Sequence, residues 1–216
     1  MEHVLIENPL SPRRLPKQLR SRQRVEKILA VVGDLLVEKG FEGINTNLVA
    51  EKAGIPVGSI YQFFPNKYAI FCALAELYFE ELIAINRGPG REAAAHMPWE
   101  GIIDHVIDGF GAFGRRNPSF PILWSGMQHT PDLRDQITLI NQKAVEANLV
   151  MIERLLPHET QAKQRLIASI MADLGERLLI SSISERHAES RDVMEELKFL
   201  LKAYLRAHMS GADRSA

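Results

Sequence analysis

The apolar residues of this chain recur every three or four positions along most of its length, which is the spacing of one face of an α-helix. We find no convincing alternation of apolar and polar residues that would predict a β-strand. The chain is therefore predicted to be all-α, with a three-helix N-terminal unit and a C-terminal helical bundle. The predicted helices lie near residues 21–39, 46–53, 57–63, 67–85, 99–116, 118–127, 131–156, 159–187 and 190–208.

The second and third predicted helices are very short and are separated by a glycine. Asn45 is a good N-cap for the second helix, and Ile44 can pack on Val49 as a hydrophobic staple. Gly40 ends the first helix, and Gly54 supplies a left-handed turn after the second. Helices this short are not stable alone. Their pairing across a tight turn is typical of a helix-turn-helix, whose second helix enters the major groove of DNA.

Three segments are predicted from the breaks in the helical pattern. Residues 1–19 form a flexible basic arm, and residues 20–66 form the helix-turn-helix domain. Residues 67–216 form a ligand-binding and dimerisation domain, whose first helix over 67–85 links it to the preceding one. The strong break at Gly88-Pro89-Gly90 follows that linking helix.

The overall composition is ordinary, but the charges are unevenly distributed. Hydrophobic residues make up 46% and charged residues 25% of the chain, and the net charge is −1. Residues 1–70 carry ten Lys or Arg against seven Asp or Glu, whereas the remainder carries sixteen against twenty. Within the first part, residues 13–27 hold seven basic residues and one acid, Glu26. Such a local basic stripe is expected of a protein that touches nucleic-acid phosphates at one end.

Several other classes of protein are disfavoured. The single cysteine, Cys72, excludes an intrachain disulfide framework, fits a reducing cytosol, and lies in an apolar stretch typical of a core residue. Residues 70–85 are the most apolar segment but contain three glutamates, too many for a membrane span, and no signal peptide is apparent. The seven histidines lack metal-ligand spacing. We expect a cytoplasmic protein with no membrane partner, metal, cofactor or enzymatic activity.

A family resemblance is carried by the segment from Phe41 to Lys67. It contains Gly54-Ile55, Gly58-Ser59-Ile60-Tyr61 and Phe63-Phe64-Pro65-Asn66-Lys67 at fixed spacing. Together with its flanking helices, over about residues 20–85, this segment resembles the N-terminal region of the TetR family of bacterial transcriptional regulators. The resemblance implies DNA binding by a dimer. The C-terminal half shares only the helix count and order of that family, in which this half varies with the ligand.

Two places near the starts of helices can hold the phosphates of DNA. Thr46 can offer its hydroxyl and backbone amide to a phosphate at the positive end of the second helix. Asn47 beside it could reach a phosphate or a base edge. Arg20 and Arg22 could clamp the backbone beside the first helix or enter the minor groove.

The third predicted helix has a core side and a DNA side. Ile60 and Phe64 should face the core. This leaves the following residues toward DNA: Val57, Gly58, Ser59, Tyr61 and Gln62. Gln62 could read an adenine edge through two hydrogen bonds, and Val57 could contact a thymine methyl.

The family resemblance adds two phosphate contacts and one departure. Tyr61 and Lys67 stand at positions that commonly hold phosphates in the family. Pro56 stands where the family usually has Ser or Thr; a proline side chain cannot cap, so Val57 is expected to start the helix. The predicted DNA-binding residues are Arg20, Arg22, Thr46, Asn47, Val57, Gly58, Ser59, Tyr61, Gln62 and Lys67.

The last two predicted helices, 159–187 and 190–208, are the longest apolar-faced pair. A terminal hairpin with this much apolar surface favours a self-complementary interface, and two such pairs would form a four-helix bundle across a two-fold axis. Burial of the pair inside one monomer is the alternative. A dimer could place two reading helices about 34–36 Å apart, the spacing of successive major grooves.

The helix over 99–116 carries three glycines in its second half, beside aromatic residues. Such a helix could wall a cavity for a small apolar or aromatic ligand; alternatively, the glycines let helices approach and the aromatic residues pack the core. The candidate ligand-binding residues are Tyr78, His105, Phe110, Phe113, Trp124, Met127 and Gln128.

The leading interpretation is a homodimeric repressor that binds a palindromic operator as double-stranded DNA. Binding of a small molecule to the C-terminal bundle would release it, with the helix over 67–85 as the lever. One alternative is a DNA-organising or co-regulator protein without a small-molecule ligand. Another is an all-α ligand carrier or enzyme with a vestigial N-terminal unit.

Overall fold

The computed structural model describes residues 19–88, 96–183 and 190–211, together with Leu10. Across these ranges it contains helices and turns and no strand, which confirms the predicted all-α fold with an N-terminal helix-turn-helix. A 3₁₀ turn at Pro131–Leu133 precedes the seventh helix. The helices are α1 Leu19–Lys39, α2 Thr46–Ala53, α3 Val57–Tyr61, α4 Lys67–Asn86, α5 Trp99–Arg116, α6 Phe120–Gln128, α7 Arg134–Leu155, α8 Gln161–Ile183 and α9 Ser190–Gly211.

At the described helix ends, the observed limits differ from the predicted ones by up to three residues: α7 begins at Arg134 and not at residue 131, α9 ends at Gly211 and not at residue 208, and α3 ends at Tyr61 and not at residue 63. The amides of Phe63 and Phe64 both donate to the carbonyl of Ile60, at 2.9 Å and 2.8 Å, so the chain tightens into a turn. Pro65 has no amide hydrogen to continue the helix. The predicted break at residues 89–90 and the last residues of the predicted helix 159–187 lie outside the described residues.

The packing divides the chain into two compact units. Unit 1 contains the described residues up to Tyr78 together with Pro118–Ile137, and unit 2 contains Phe79–Asn117 and the described residues from Thr138 onward. The segment that includes α6 therefore packs with the N-terminal helices, which the hydrophobic pattern did not indicate. The functional domain limits 1–19, 20–66 and 67–216 stay a prediction.

In unit 1, α1 packs against α2 and α6. Phe41, which follows α1, lies against the ring of Phe71 with 4.5 Å between ring centroids. The Phe41 ring also lies against Gly126 of α6, where an added Cβ atom would overlap it. Tyr78 and Ser119 form a buried hydrogen bond of 2.7 Å between their hydroxyl groups. Residues 118–128 are thus integral to the core of this unit.

In unit 2, α5 packs against α8 and α9, and α8 packs against α9. A Cβ at Gly109 would lie 2.5 Å from Ile85 of α4, and one at Gly114 would lie 2.7 Å from Ile183 of α8. These two glycines let neighbouring helices approach closely, which is the second of the two interpretations of the glycine-rich helix.

Three acidic residues of α5 form ion pairs with three basic residues of α9. The paired residues are spaced four positions apart on each helix, and their order along α9 is the reverse of that along α5. Lys198 is almost fully buried between α5 and α9. Burial opposes its charge, but the hydrogen bonds that Lys198 donates to Asp108 and Glu195 outweigh this and raise the pKa of Lys198. The acidic residues of α5 are therefore ion-paired and are not simply solvated. The pairs are Glu100 with Arg206 (3.4 Å), Asp104 with Lys202, and Asp108 with Lys198 (2.7 Å).

We predict that Gly126→Ala lowers the free energy of unfolding by about 1–3 kcal/mol, because the added methyl group forces Phe41 off its position against Phe71. The matched control is Gly58→Ala, where a Cβ meets nothing within 4 Å. The control should leave the stability unchanged or raise it by up to about 1 kcal/mol. Urea unfolding followed by far-UV circular dichroism measures both. Equal stabilities of the two variants would show that Phe41 moves aside without cost.

Candidate nucleic-acid interface and ligand cleft

The turn between α2 and α3 is closed by two backbone hydrogen bonds. Gly54 adopts the left-handed conformation, with φ of +63°, and its amide donates to the carbonyl of Glu51 at 3.1 Å. The amide of Ile55 donates to the carbonyl of Ala50, also at 3.1 Å. These are the two bonds of a Schellman motif, and they fix the direction in which the chain leaves α2. The predicted role of Gly54 is confirmed.

The start of α3 follows from Pro56. No side-chain hydrogen bond caps the helix there, and the carbonyl of Pro56 accepts from the amide of Ser59 at 2.8 Å. Val57 is therefore the first helical residue, as predicted, because the proline side chain has no oxygen that could accept a capping hydrogen bond.

The two sides of α3 differ sharply in burial. Ile60 and Phe64 are completely buried, which confirms that they face the core. On the other side, Val57 is 37% and Tyr61 42% exposed, although both are largely apolar. Gly58 and Gln62 are exposed and Ser59 is half-buried. This helix therefore presents a mixed apolar and polar surface to solvent.

A side-chain hydrogen bond joins the start of α2 to the end of α3. The hydroxyl groups of Thr46 and Tyr61 lie 3.0 Å apart, and either can be the donor. Directly before Thr46, the side chain of Asn45 accepts from the amide of Leu48 at 2.9 Å, which confirms Asn45 as the N-cap. Two of the predicted phosphate-binding groups are thus brought together at the positive end of α2.

Lys67 is held at the start of α4. Its ammonium lies 3.5 Å from the carboxylate of Glu42, 6.0 Å from the centre of the Phe41 ring and 5.3 Å from that of Tyr68. The side chain of Asn66 caps this helix by accepting from the amide of Ala69 at 2.9 Å, as predicted. The ion pair and the two rings restrict the position of the Lys67 charge.

The remaining predicted DNA-binding residues are exposed: Asn47 lies in the first turn of α2, and Arg20 and Arg22 lie in the first turn of α1. The first helix is tied to α2 by the ion pair of Glu38 with Lys52, at 3.4 Å. Hydrogen bonds from Lys39 and Lys52 lower the pKa of the Glu38 carboxyl group.

The candidate ligand-binding residues fall into both units. In unit 1, Trp124 and Met127 are completely buried, Tyr78 is buried with its hydroxyl bonded to Ser119, and Gln128 is exposed. The large side chains of this group fill the core. Their role in ligand binding stays a prediction.

The other three candidates belong to unit 2. Phe113 is completely buried and His105 is exposed, whereas Phe110 lines a small cavity of about 30 Å³ together with Asn86 and Asn148. A space of this size holds about one water molecule and is too small for an organic ligand.

A much larger cleft of about 970 Å³ is present in unit 2, between the end of α4, the start of α5, and α7. None of the seven candidate residues lines it, so their role in ligand binding stays a prediction. The lining side chains include Ile83, Asn86, Trp99, Ile102, Leu139 and Met151.

Candidate catalytic chemistry is sparse in the part of the chain that the structure describes. Cys72 is buried, as predicted for a core residue, and burial raises the pKa of its thiol to about 12, with a further contribution from Glu76. It is therefore an unreactive thiol at neutral pH. The described residues contain no group of His, Cys, Asp or Glu side chains suited to a metal ion, and none of their helices is long and apolar enough to cross a bilayer.

Two family models match this chain. Residues 28–74 match the model described as bacterial regulatory proteins, tetR family. Residues 97–209 match the model described as tetracyclin repressor-like, C-terminal domain. The two matches cover the helix-turn-helix and most of the helices that follow it.

Individual relatives are distant. The nucleoid occlusion factor SlmA of Actinobacillus pleuropneumoniae is 24% identical over 181 residues, which are 79% of this chain and 88% of that protein. SlmA of Haemophilus ducreyi is 26% identical over 114 residues, which are 52% of this chain. That match spans about half of the relative's own length, 54%. The transcriptional repressor KstR of Rhodococcus jostii is 29% identical over 77 residues, 35% of this chain and 36% of that protein.

Among solved structures, a TetR-family transcriptional regulator from Streptomyces coelicolor superposes with a TM-score of 0.62 at 25% sequence identity. The match covers 85% of this chain and 98% of that one, so the likeness extends through both units.

We predict that Asn45→Ala destabilises the helix-turn-helix by about 1 kcal/mol, because the amide of Leu48 loses its acceptor. Amide hydrogen exchange at Leu48 should accelerate about fivefold, provided that it exchanges through local opening. Asn47→Ala is the matched control, since this neighbouring side chain is exposed and does not cap the helix. If both variants exchange alike at Leu48, Asn45 does not hold the start of α2.

Proposed function

The chain belongs to the TetR family of bacterial regulatory proteins, and from that premise we propose that it is a homodimeric repressor released from a palindromic operator by a small molecule. That it is a DNA-binding regulator follows from the family. The observation that carries the proposal is the arrangement of α3, which buries Ile60 and Phe64 completely and exposes Val57, Tyr61 and Gln62.

We assign α3 to the major groove of the operator. The exposed side chain of Gln62 has the donor and acceptor that recognise an adenine edge, and Val57 offers methyl groups to a thymine. Gly58 and Ser59, at the start of this helix, leave room for the DNA to approach closely.

The phosphate contacts come from the groups around α3. A phosphate oxygen beside the Thr46–Tyr61 pair could accept from both hydroxyl groups in place of their mutual hydrogen bond. Lys67 supplies a positive charge, and Arg20, Arg22 and Asn47 extend the contact along the backbone.

The homodimer is proposed to form through α8 and α9. Leu166 of α8 is 51% exposed and Phe199 of α9 is 67% exposed, which is apolar surface that a second copy could cover. In contrast, Leu197 and Leu201 are buried within unit 2, so part of the predicted apolar stripe already packs inside the monomer.

The proposed effector site is the large cleft of unit 2, because its volume of about 970 Å³ suits an organic ligand. Ile83 and Asn86, at the end of α4, line this cleft. The side-chain amide of Asn86 donates to the side-chain oxygen of Asn148 at 2.8 Å. The side-chain amide of Asn148 in turn donates to the backbone carbonyl of Ala168 at 3.1 Å. A ligand that displaced Asn86 would therefore act on α4, the helix that begins with Lys67.

The ligand can move this equilibrium only by as much as its affinity differs between the DNA-competent and DNA-incompetent dimers. A tenfold loss of operator affinity at saturating ligand requires about 1.4 kcal/mol of such a difference.

A second candidate function is favoured by the likeness to a protein named nucleoid occlusion factor, which extends over 79% of this chain. In that case the protein would organise DNA or act with a protein partner, without a small-molecule signal. The large cleft favours the repressor, since a protein with no ligand has no need of it.

Selection of genomic fragments by the purified protein distinguishes the two. A repressor should retain few fragments that share one palindrome, bind each as two chains per site, and release them when a small molecule from the same cells is added. Retention of many sites across the chromosome, with no small molecule changing the affinity, would instead support the DNA-organising function.

We predict that Lys67→Gln weakens binding to operator and unrelated DNA alike and reduces the slope of log affinity against log salt by about 1. Gln62→Ala should cost about 1–3 kcal/mol at one base pair and relax the preference there. Fluorescence anisotropy with the operator and its single-base variants, at several salt concentrations, measures both effects.

The matched control for charge is Lys52→Gln, which removes a lysine of α2 that is paired with Glu38. It should leave the salt slope unchanged. An equal loss of affinity across all sequences for Gln62→Ala would remove Gln62 from the base-reading residues.

A further inference from the structure

The large cleft of unit 2 has a strongly uneven charge. Among the described residues, four basic side chains line it, against one acidic side chain, Glu146. Glu146 is already paired with Arg165, at 2.8 Å. Within the described part of the chain, the side chains of Arg87, Lys143 and Arg154 have no carboxylate partner.

The basic residues of α9, in the same unit, do have carboxylate partners. Lys198, Lys202 and Arg206 of α9 each have an acidic partner on α5. The unpaired charges of the cleft are therefore not a general property of unit 2. They leave a positive potential at a concave surface, where field lines converge.

The walls of the cleft between these charges are apolar. Trp99 and Ile102 of α5 and Met151 of α7 form part of them. Val150, which also lines the cleft, is 72% exposed and adds to this apolar surface. An apolar ligand body would cover this surface.

The shape of the cleft favours an elongated ligand. Lys143 and Arg154 both lie on α7, about three helical turns or 16 Å apart along its axis. A volume of about 970 Å³ is at the upper end of the range for small-molecule sites. Arg87 directly follows α4, next to Asn86, which also lines the cleft.

We propose that this cleft binds an amphipathic anion, with an elongated apolar body and a carboxylate or phosphate head. The inference rests on the proposed effector site and adds a negative charge to the apolar or aromatic ligand expected from the sequence. Guanidinium and ammonium groups form charge-assisted hydrogen bonds with either head group, and the apolar body lies against Trp99 and its neighbours.

The test uses three probes with one alkyl chain: decanoate, decyl phosphate and uncharged decanamide. Binding is followed by calorimetry and by tryptophan fluorescence on the full-length protein without DNA. Trp99→Phe should remove most of the fluorescence change, because the other tryptophan, Trp124, is buried in unit 1. We expect the anions to bind at least about tenfold more tightly than decanamide.

The charge requirement is tested by replacing Arg87, Lys143 and Arg154 with methionine, singly and together. At least one single variant should lose about tenfold in anion affinity, and the triple variant should lose the preference for anions while binding decanamide unchanged. Arg115→Met, an exposed arginine of α5 that does not line the cleft, is the matched control. The ratio of decanoate to decyl phosphate affinity identifies the head group.

Any one of three results would overturn the inference. Decanamide could bind as tightly as the anions, the triple variant could keep the preference for anions, or no probe could bind at millimolar concentration. Operator release is measured separately. Anions that bind the cleft but leave operator affinity unchanged would support the ligand class and refute the switch. Release of the operator by uncharged molecules alone would support the switch and refute the ligand class.

Discussion

The complete burial of Ile60 and Phe64 is the constraint on which the DNA-facing surface depends. A helix of five residues has no stability of its own in water, because nucleation costs more than its few hydrogen bonds return. Burial of two such side chains contributes about 1.5–3 kcal/mol each. The Schellman turn at Gly54 then sets the direction of α3, so the exposed residues on its other side are held in fixed positions.

In unit 2, one buried asparagine joins three helices through hydrogen bonds. Asn148 is buried and has two hydrogen-bond partners, Asn86 and the carbonyl of Ala168, and thereby ties α4, α7 and α8 together. Loss of one of these partners would leave a buried polar group unsatisfied and would destabilise the folded state by about 1–3 kcal/mol. Disturbance of Asn86 from the cleft is therefore costly unless the helices that hold Asn148 also move.

Local chemistry was predictable from the sequence, and long-range contacts were not. Asn45, Gly54 and Pro56 act on residues within a few positions, so their effects follow from residue type alone. The Thr46–Tyr61 hydrogen bond joins residues fifteen positions apart and has no local signal. Aromatic composition does not distinguish a cavity wall from a packed core: Trp124 is buried in unit 1, and its role in ligand binding stays a prediction. The α5–α9 ion pairs did have a signal, since acids and bases recur at the same four-residue spacing on both helices.

That repeated spacing means that the ion pairs alone do not define a unique register for α9. If α9 slid by one turn, about 5.4 Å, Lys202 would meet Glu100 and Lys198 would meet Asp104, so two of the three pairs would re-form. The observed register is therefore favoured over the shifted one by a single ion pair. The cation–π contact of Arg206 with Trp99, at 5.8 Å, does not repeat along the helix and marks one step as distinct from the next.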